Sequence, residues 1–466
     1  MLIRPKKLQI DPAIPFSLDK LNRLPSATVL TQLLERVDTP MVLALNAKWG
    51  DGKTTFVQMW KHHLAAQGLR SLYFNAWESD YSSDPLISFI GEMRGQLELG
   101  DKAHSPQLAE KWTKLKEAGA YLAKRAVPVA VKLGTAGVLD LDTITEQALG
   151  GLGADLAREK IESYQADKNT VTNFKQRLGE FIAELRGQAG GEKCPVVFFV
   201  DELDRCRPTY TVELLERIKH FFDVEGLVFV LSLDKEQLGH SIRAVYGAGL
   251  DVDGYLRRFI DLEYRFPQRS GVNFVHFLVE HYQLAETLKK IGRSSEVRTI
   301  DVGVRTFERL ASVFGLSLRA QEQCFASLII ALLASRLDVS LPFIMALLAM
   351  RTEDRKMYEN FVSSKLTVKE LIAVIEASPQ GKEFLAEDAG VYFEADMIGW
   401  KRGRDKTADD KISNYRNIVS ADQGRNTDSP RAHRILTHLD APFDFHSIAL
   451  SYVKALEISG SFQGPG

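Results

Sequence analysis

Cysteine is scarce: Cys194, Cys206 and Cys324 are the only three in 466 residues. So few thiols at such wide spacing exclude a disulfide framework and a cysteine metal site, and they read as reduced side chains of a cytoplasmic protein. Long apolar runs are missing too. The nearest approach, AVPVAVKLGTAGVL from Ala126 to Leu139, is short and carries Lys132, so nothing predicts a spanning helix. The basic residues near the start are not followed by the apolar run of a secretory leader. Charge of one sign is also lacking: the net charge of -2 gives no footprint for wholesale nucleic-acid binding, only room for a local basic patch. There is no internal repeat and no guanine-reading N-K-x-D.

What is present is an ordinary globular composition, 45% hydrophobic and 26% charged, in a chain too long for one core. Four short apolar runs stand out: MVLALNA (Met41–Ala47), SLYFNAW (Ser71–Trp77), PVVFFVDE (Pro195–Glu202) and LVFVLSLD (Leu227–Asp234). Runs without alternation suit strands buried on both faces, and helical stretches between them predict parallel pairing with right-handed crossovers. The more polar FIDLEYRF (Phe259–Phe266) reads as an edge strand. From Pro267 onward the periodicity is helical only, as in VNFVHFLVEHYQL and FASLIIALLASRL. The polar stretch from KRGRDK to SPRAHR reads as a long loop with partial disorder, and GSFQGPG as a frayed tail.

The first run feeds NAKWGDGKTTF, residues Asn46–Phe56. Against G-x-x-x-x-G-K-[ST] it departs only at Ala47, and strand–loop–helix is the context that motif requires. Residues Lys48, Trp49, Gly50, Asp51, Gly52, Lys53, Thr54 and Thr55 would then cradle phosphates, with Lys53 on the outer ones and Thr54 on Mg2+. The third run ends in Asp201 and Glu202. A carboxylate at that strand tip suits the shell of the metal, and the next one suits polarising a water. An acidic surface turn is the bland alternative, outweighed once the loop lies upstream.

These stretches, taken in order with SLDKLNRL, YFNAWESD, VDELDRCRPTYTVELLERIKHFF, VFVLSLDKEQL and GYLRRFI, resemble the KAP P-loop NTPases over residues 19–266. Ala47 replaces that family's usual first glycine, and Glu202 stands where aspartate is common. The resemblance implies an α/β fold: a three-layer α/β/α core with a parallel sheet, an extra strand between the phosphate-loop strand and the acidic strand, a helical insertion and an all-helical C-terminal domain. The corresponding boundaries are 1–99 and 192–268 for the core, 100–191 for the insertion and 269–466 for the C-terminal domain. Ser232, with Asp234 beside it, matches a position that senses the outer phosphate, although a capping role suits Asp234 nearly as well.

Arg205, Arg257 and Arg258 are candidates for a phosphate-facing arginine, in cis or from a neighbouring subunit, with surface ion pairs as the competing reading. Arg319 would be a lid arginine, less favoured than a surface role. Trp49 and Trp77 read as structural braces. The Ala/Gly-rich residues 122–152 occupy the place of the family's transmembrane hairpin but read as packing or as a surface for a protein partner; weak membrane contact through YLAKRAVPVAVKL is the lesser reading.

The resulting expectation is a cytoplasmic, homo-oligomeric switch that binds and hydrolyses ATP with Mg2+ and moves its helical half. The resemblance alone implies a setting in bacterial or phage conflict. Two competitors stand beside it: a nucleotide-binding scaffold that scarcely turns over, motivated by Ala47, and a DNA-stimulated ATPase touching DNA through Lys401, Arg402, Arg404 and Lys406.

Overall fold

The structure is a computed structural model that describes residues 9–37, 39–82, 84–100, 106–125, 153–188, 194–266, 272–291, 297–334, 340–421, 429–441 and 444–460. The chain divides into two compact units. One comprises residues 8–48 and 52–267; the other comprises 268–466 together with Trp49–Asp51.

The first unit is built on five parallel strands: β1 (Met41–Asn46), β2 (Ser71–Asn75), β3 (Val196–Asp201), β4 (Leu227–Leu233) and β5 (Leu262–Arg265). Their order is β2-β3-β4-β1-β5. All four apolar runs are strands, the fifth is the edge strand, and β4 lies between the phosphate-loop strand and the acidic strand. Every residue of β3 and β4 is buried, which is why those runs show no polar alternation.

The two faces part by residue parity. Val196, Phe198, Val200, Phe229 and Leu231 belong to one core, while Val197, Phe199, Val228, Val230, Leu43 and Leu45 belong to the other. The first face is covered by α3 (Pro85–Gly100), α4 (Pro106–Arg125), α5 (Gly153–Gln188) and α6 (Pro208–Phe221), with Phe89 stacked on Phe198 at 4.0 Å between ring centres. The opposite face takes α1 (Leu24–Leu34) and α2 (Lys53–Ala66), where Trp60 meets Phe199 edge-on at 5.3 Å. This is a three-layer α/β/α core. Helices α4 and α5 pack against each other between β2 and β3 in chain order. Most of the Ala/Gly-rich 122–152 lies outside the described residues. No described helix is long and apolar enough to cross a membrane.

Beyond residue 267 the described elements are all helices. The expected polar loop is corrected here. It contains the helices Lys406–Ala421 and Ser429–Leu439, while 422–428 and the tail residues 461–466 lie outside the described residues. Its polar residues conceal the helices because several are buried in pairs. Glu394 is 2% exposed and meets Lys411 at 2.7 Å and Arg431 at 2.6 Å.

Lys401 is corrected likewise as a DNA contact. It is buried, and its ammonium donates to the Val362 carbonyl (3.3 Å), the Ser364 hydroxyl (2.9 Å) and the Phe361 carbonyl (2.5 Å). Arg402, Arg404 and Lys406 are exposed, and Arg404 is engaged with His446.

Candidate nucleotide site

Four strands contribute one residue each to a single rung at the C-terminal edge of the sheet. Asn75 is in register with Asp201, Asp201 with Ser232, and Ser232 with Leu45. Leu45 and the residues two and four before Asp201 and Ser232 pack in the core that contains α2, so the rung faces that helix. With β4 between them, β1 and β3 end about 10 Å apart, two strand spacings.

Beyond β1, Ala47 extends the pairing through its N–H to the Leu233 carbonyl. It is not among the residues with positive φ, whereas Gly50 (+86°) and Gly52 (+74°) are. The glycines thus carry the left-handed turns, and alanine fits where the sequence raised a question. Gly52 is the N-cap of α2, and no side chain caps that end. The first N–H groups of a 14-residue helix and its positive end are therefore offered at the loop.

Lys53 is 9% exposed, and its ammonium donates to the carbonyls of Ala47 (2.7 Å) and Lys48 (3.2 Å). It thus bends over its own loop. Thr54 and Thr55 are half-buried in the first turn, while Lys48 and Trp49 are exposed.

Asp201 is buried, its carboxylate accepting from the Tyr73 hydroxyl (3.1 Å) and the Glu202 N–H (3.0 Å). Burial, and next the Asp201 charge, push the Tyr73 hydroxyl well above its ordinary range, so it remains a donor. Glu202 stands at a φ of +60°, a left-handed conformation that costs a non-glycine residue on the order of 1 kcal/mol or more. Its carboxylate meets the Arg205 guanidinium at 2.6 Å and accepts from the Asn75 amide at 3.2 Å. Burial raises the pKa of that carboxyl, with Arg205 opposing.

The Ser232 hydroxyl is fully buried and has no hydrogen-bond partner among the described residues. An orphaned hydroxyl costs free energy unless a ligand or water completes it. Beside it, Asp234 accepts from the Glu236 and Gln237 N–H groups and so caps α7 (Lys235–Tyr246). The capping alternative describes Asp234. Arg257 and Arg258 are exposed after the short helix α8 (Val252–Leu256) and show no side-chain hydrogen bond or ion pair among the described residues. Arg319 is the second residue of the helix Leu318–Ala334.

Two contributors escaped the sequence reading. Tyr73 alternates in β2 so as to reach Asp201, a placement its parity in SLYFN signals. Arg23 donates to the Gly52 carbonyl (3.2 Å) and lies over the Phe266 ring at 4.2 Å; no spacing rule points to it.

A left-handed glycine cap, a lysine over the loop, a hydroxylated first turn and a buried aspartate beside an orphaned hydroxyl fit a magnesium nucleotide. The model of the KAP family P-loop domain matches residues 23–347. The chain belongs to the KAP family of P-loop NTPases. Membership makes nucleotide binding the expected property of this KAP site. Two solved structures of the Aeropyrum pernix ORC2 protein are similar in part. One, described as ADPNP-ADP complexes, shows 11% identity over 95% of each chain with a TM-score of 0.30; the other, an ADP form, shows 14% over 97% of each with 0.31. A DNA replication initiation factor shows 12% over 96% of this chain and 99% of that one, with 0.29. At such scores none of them bears on how the KAP site works. No curated protein matches the chain.

Proposed function

We propose that this KAP domain binds ATP with Mg2+ at the Gly52–Asp201 edge of the sheet and hydrolyses it as a nucleotide-driven switch. The observation that carries the reading is the rung itself, which puts the Asp201 carboxylate side by side with the Ser232 hydroxyl, partnerless among the described residues, on the face that α2 covers.

The α2 N-terminus and the Lys53 ammonium would hold phosphate oxygens, with Lys53 exchanging its loop carbonyls for them. The Thr54 hydroxyl and Asp201 would hold the metal, and Tyr73 keeps the Asp201 carboxylate oriented by its hydrogen bond. When bound, the magnesium nucleotide supplies the transferable phosphoryl group and the charge neutralisation its reaction needs. Glu202 orients the attacking water, and Ser232 donates its hydroxyl toward the outer phosphate. Arg257 and Arg258, exposed and without short ion pairs among the described residues, keep the role of candidate phosphate-facing cations, in cis or toward a neighbouring copy.

The low-turnover scaffold stands as the second reading, although Ala47 is not at a positive φ and so does not call for glycine's backbone freedom. The reading is tested by ATP turnover and nucleotide-dependent thermal stabilisation of the wild type, Lys53→Ala and Glu202→Gln. Loss of both responses in Lys53→Ala, and loss of turnover alone in Glu202→Gln, are expected. Equal turnover by all three refutes hydrolysis at this site.

A further inference from the structure

Arg205 reads from sequence either as a phosphate-facing arginine or as a surface ion-pair partner, and its contacts are those of an ion pair. Its guanidinium lies 2.6 Å from one Glu202 carboxylate oxygen, three residues back across the single turn Leu203–Arg205, and 5.9 Å over the ring of Trp77. The second Glu202 oxygen accepts from the Asn75 amide. The Asn75 carbonyl oxygen accepts from the N–H groups of Trp77 and Glu78. The four side chains therefore close a circuit, from Trp77 to Arg205 to Glu202 to Asn75 and back to the Trp77 backbone. Both carboxylate oxygens of Glu202 are committed within it, on a residue held in left-handed backbone. A carboxylate so engaged keeps a lone pair on each oxygen for a water, but Arg205 and Asn75 fix its orientation, so it has to turn out of their grip to aim at a water elsewhere.

We propose that Arg205 is a positioning residue, a latch that holds Glu202 in a resting pose, with Trp77 as the plate against which the latch rests. The proposal rests on the hydrolytic reading above for its effect on turnover, whereas the latch itself is a set of side-chain contacts that is tested without turnover. Trp77 is 53% exposed and Arg205 about one-third exposed, so the pair is open to solvent and light enough to break. An arginine serves this purpose because its flat guanidinium can lie over indole while forking toward a carboxylate; a lysine ammonium, a point charge, keeps the attraction to each but not the flat contact or the fork.

The full chain is compared with Arg205→Ala, Arg205→Lys and Trp77→Phe, with melting curves confirming that each folds. In nucleotide-free protein, acrylamide quenching of Trp77 is read as the signal lost in Trp77→Phe. It is expected to rise in Arg205→Ala and to recover only part-way in Arg205→Lys. In turnover, Arg205→Ala is expected to raise kcat about two- to fivefold, the factor an ion pair of this exposure is worth, with KM for ATP changed less than about twofold. Arg205→Lys returns kcat toward the wild-type value. Any fall in kcat in Arg205→Ala overturns the latch, and a fall of about a thousandfold or more restores the phosphate-facing role. An unchanged Trp77 signal in Arg205→Ala overturns it as well. Should the wild type fail to turn over ATP at all, the hydrolytic reading fails, while the quenching comparison still decides the latch.

Discussion

The Tyr73 hydroxyl donates to the Asp201 carboxylate at 3.1 Å, from the strand next to the one that carries the aspartate. A buried carboxylate relies on such donors, and this one comes from a side chain whose own acidity burial has suppressed. Tyr73→Phe keeps the ring and removes only the hydroxyl. It is expected to cost about 1 to 3 kcal/mol in urea unfolding and to raise the Mg2+ concentration needed for nucleotide-dependent stabilisation. A variant with unchanged unfolding and unchanged Mg2+ titration would show that the contact does nothing for the site.

Ser232 predicts effects of opposite sign on stability and on function. Its hydroxyl is buried without a partner, so Ser232→Ala removes an uncompensated polar group. The free protein is expected to gain up to about 1 kcal/mol, or to stay level. The same variant is expected to lose part of the thermal shift that ATP and Mg2+ confer. Urea and thermal melts with and without nucleotide check both halves; a clear loss of stability in the free protein contradicts an orphaned hydroxyl.

Ala47→Gly asks whether the departure from the usual loop matters. Alanine here continues the β1–β4 pairing without a positive φ. Restoring glycine is expected to leave ATP affinity within a few-fold and to lower stability by about 0.5 to 1 kcal/mol, the entropic penalty of glycine. A large gain in affinity, measured by titration calorimetry, would mean that the Ala47 methyl group hinders the phosphate loop.

Lys401 gives a pH signature within the C-terminal unit. Burial, partly opposed by Asp405 and reinforced by Arg404, pulls its pKa from 10.5 down to about 8. Below pH 8 both the folded and unfolded chains carry the proton, and the penalty of burying it is fully present. Between pH 8 and 10.5 only the unfolded chain retains the proton, so stability attributable to this residue rises with pH across that window. The urea midpoint of the wild type relative to Lys401→Met, measured from pH 7 to pH 10, is expected to climb. A flat difference would place the ammonium in an environment as wet as bulk solvent.

The sheet was legible because burial on both faces leaves a plain mark: VVFFV and LVFVL have no polar alternation to confuse them with surface strands. The loop was legible because Gly52, Lys53 and Thr54 are adjacent in the chain, and Asp201 because it ends an apolar strand. Arg205 was legible only as a choice, since its residue type suits a phosphate and a carboxylate equally; the 2.6 Å approach to Glu202 shows the ion pair. Lys401, Lys411 and Arg431 in the polar stretch misled for a related reason. A charge cancelled by partners brought from elsewhere in the chain reads, in one dimension, as a charge facing water. Arg23 depends on the fold returning residue 23 to residue 52, which no local pattern encodes.

One bond behind the acidic turn ties two elements together. The Asp204 carboxylate accepts the Asp234 N–H at 2.9 Å, and Asp234 in turn caps α7. The turn bearing Glu202 is therefore geared to the root of a 12-residue rod. Displacing that turn would therefore disturb the cap of that helix.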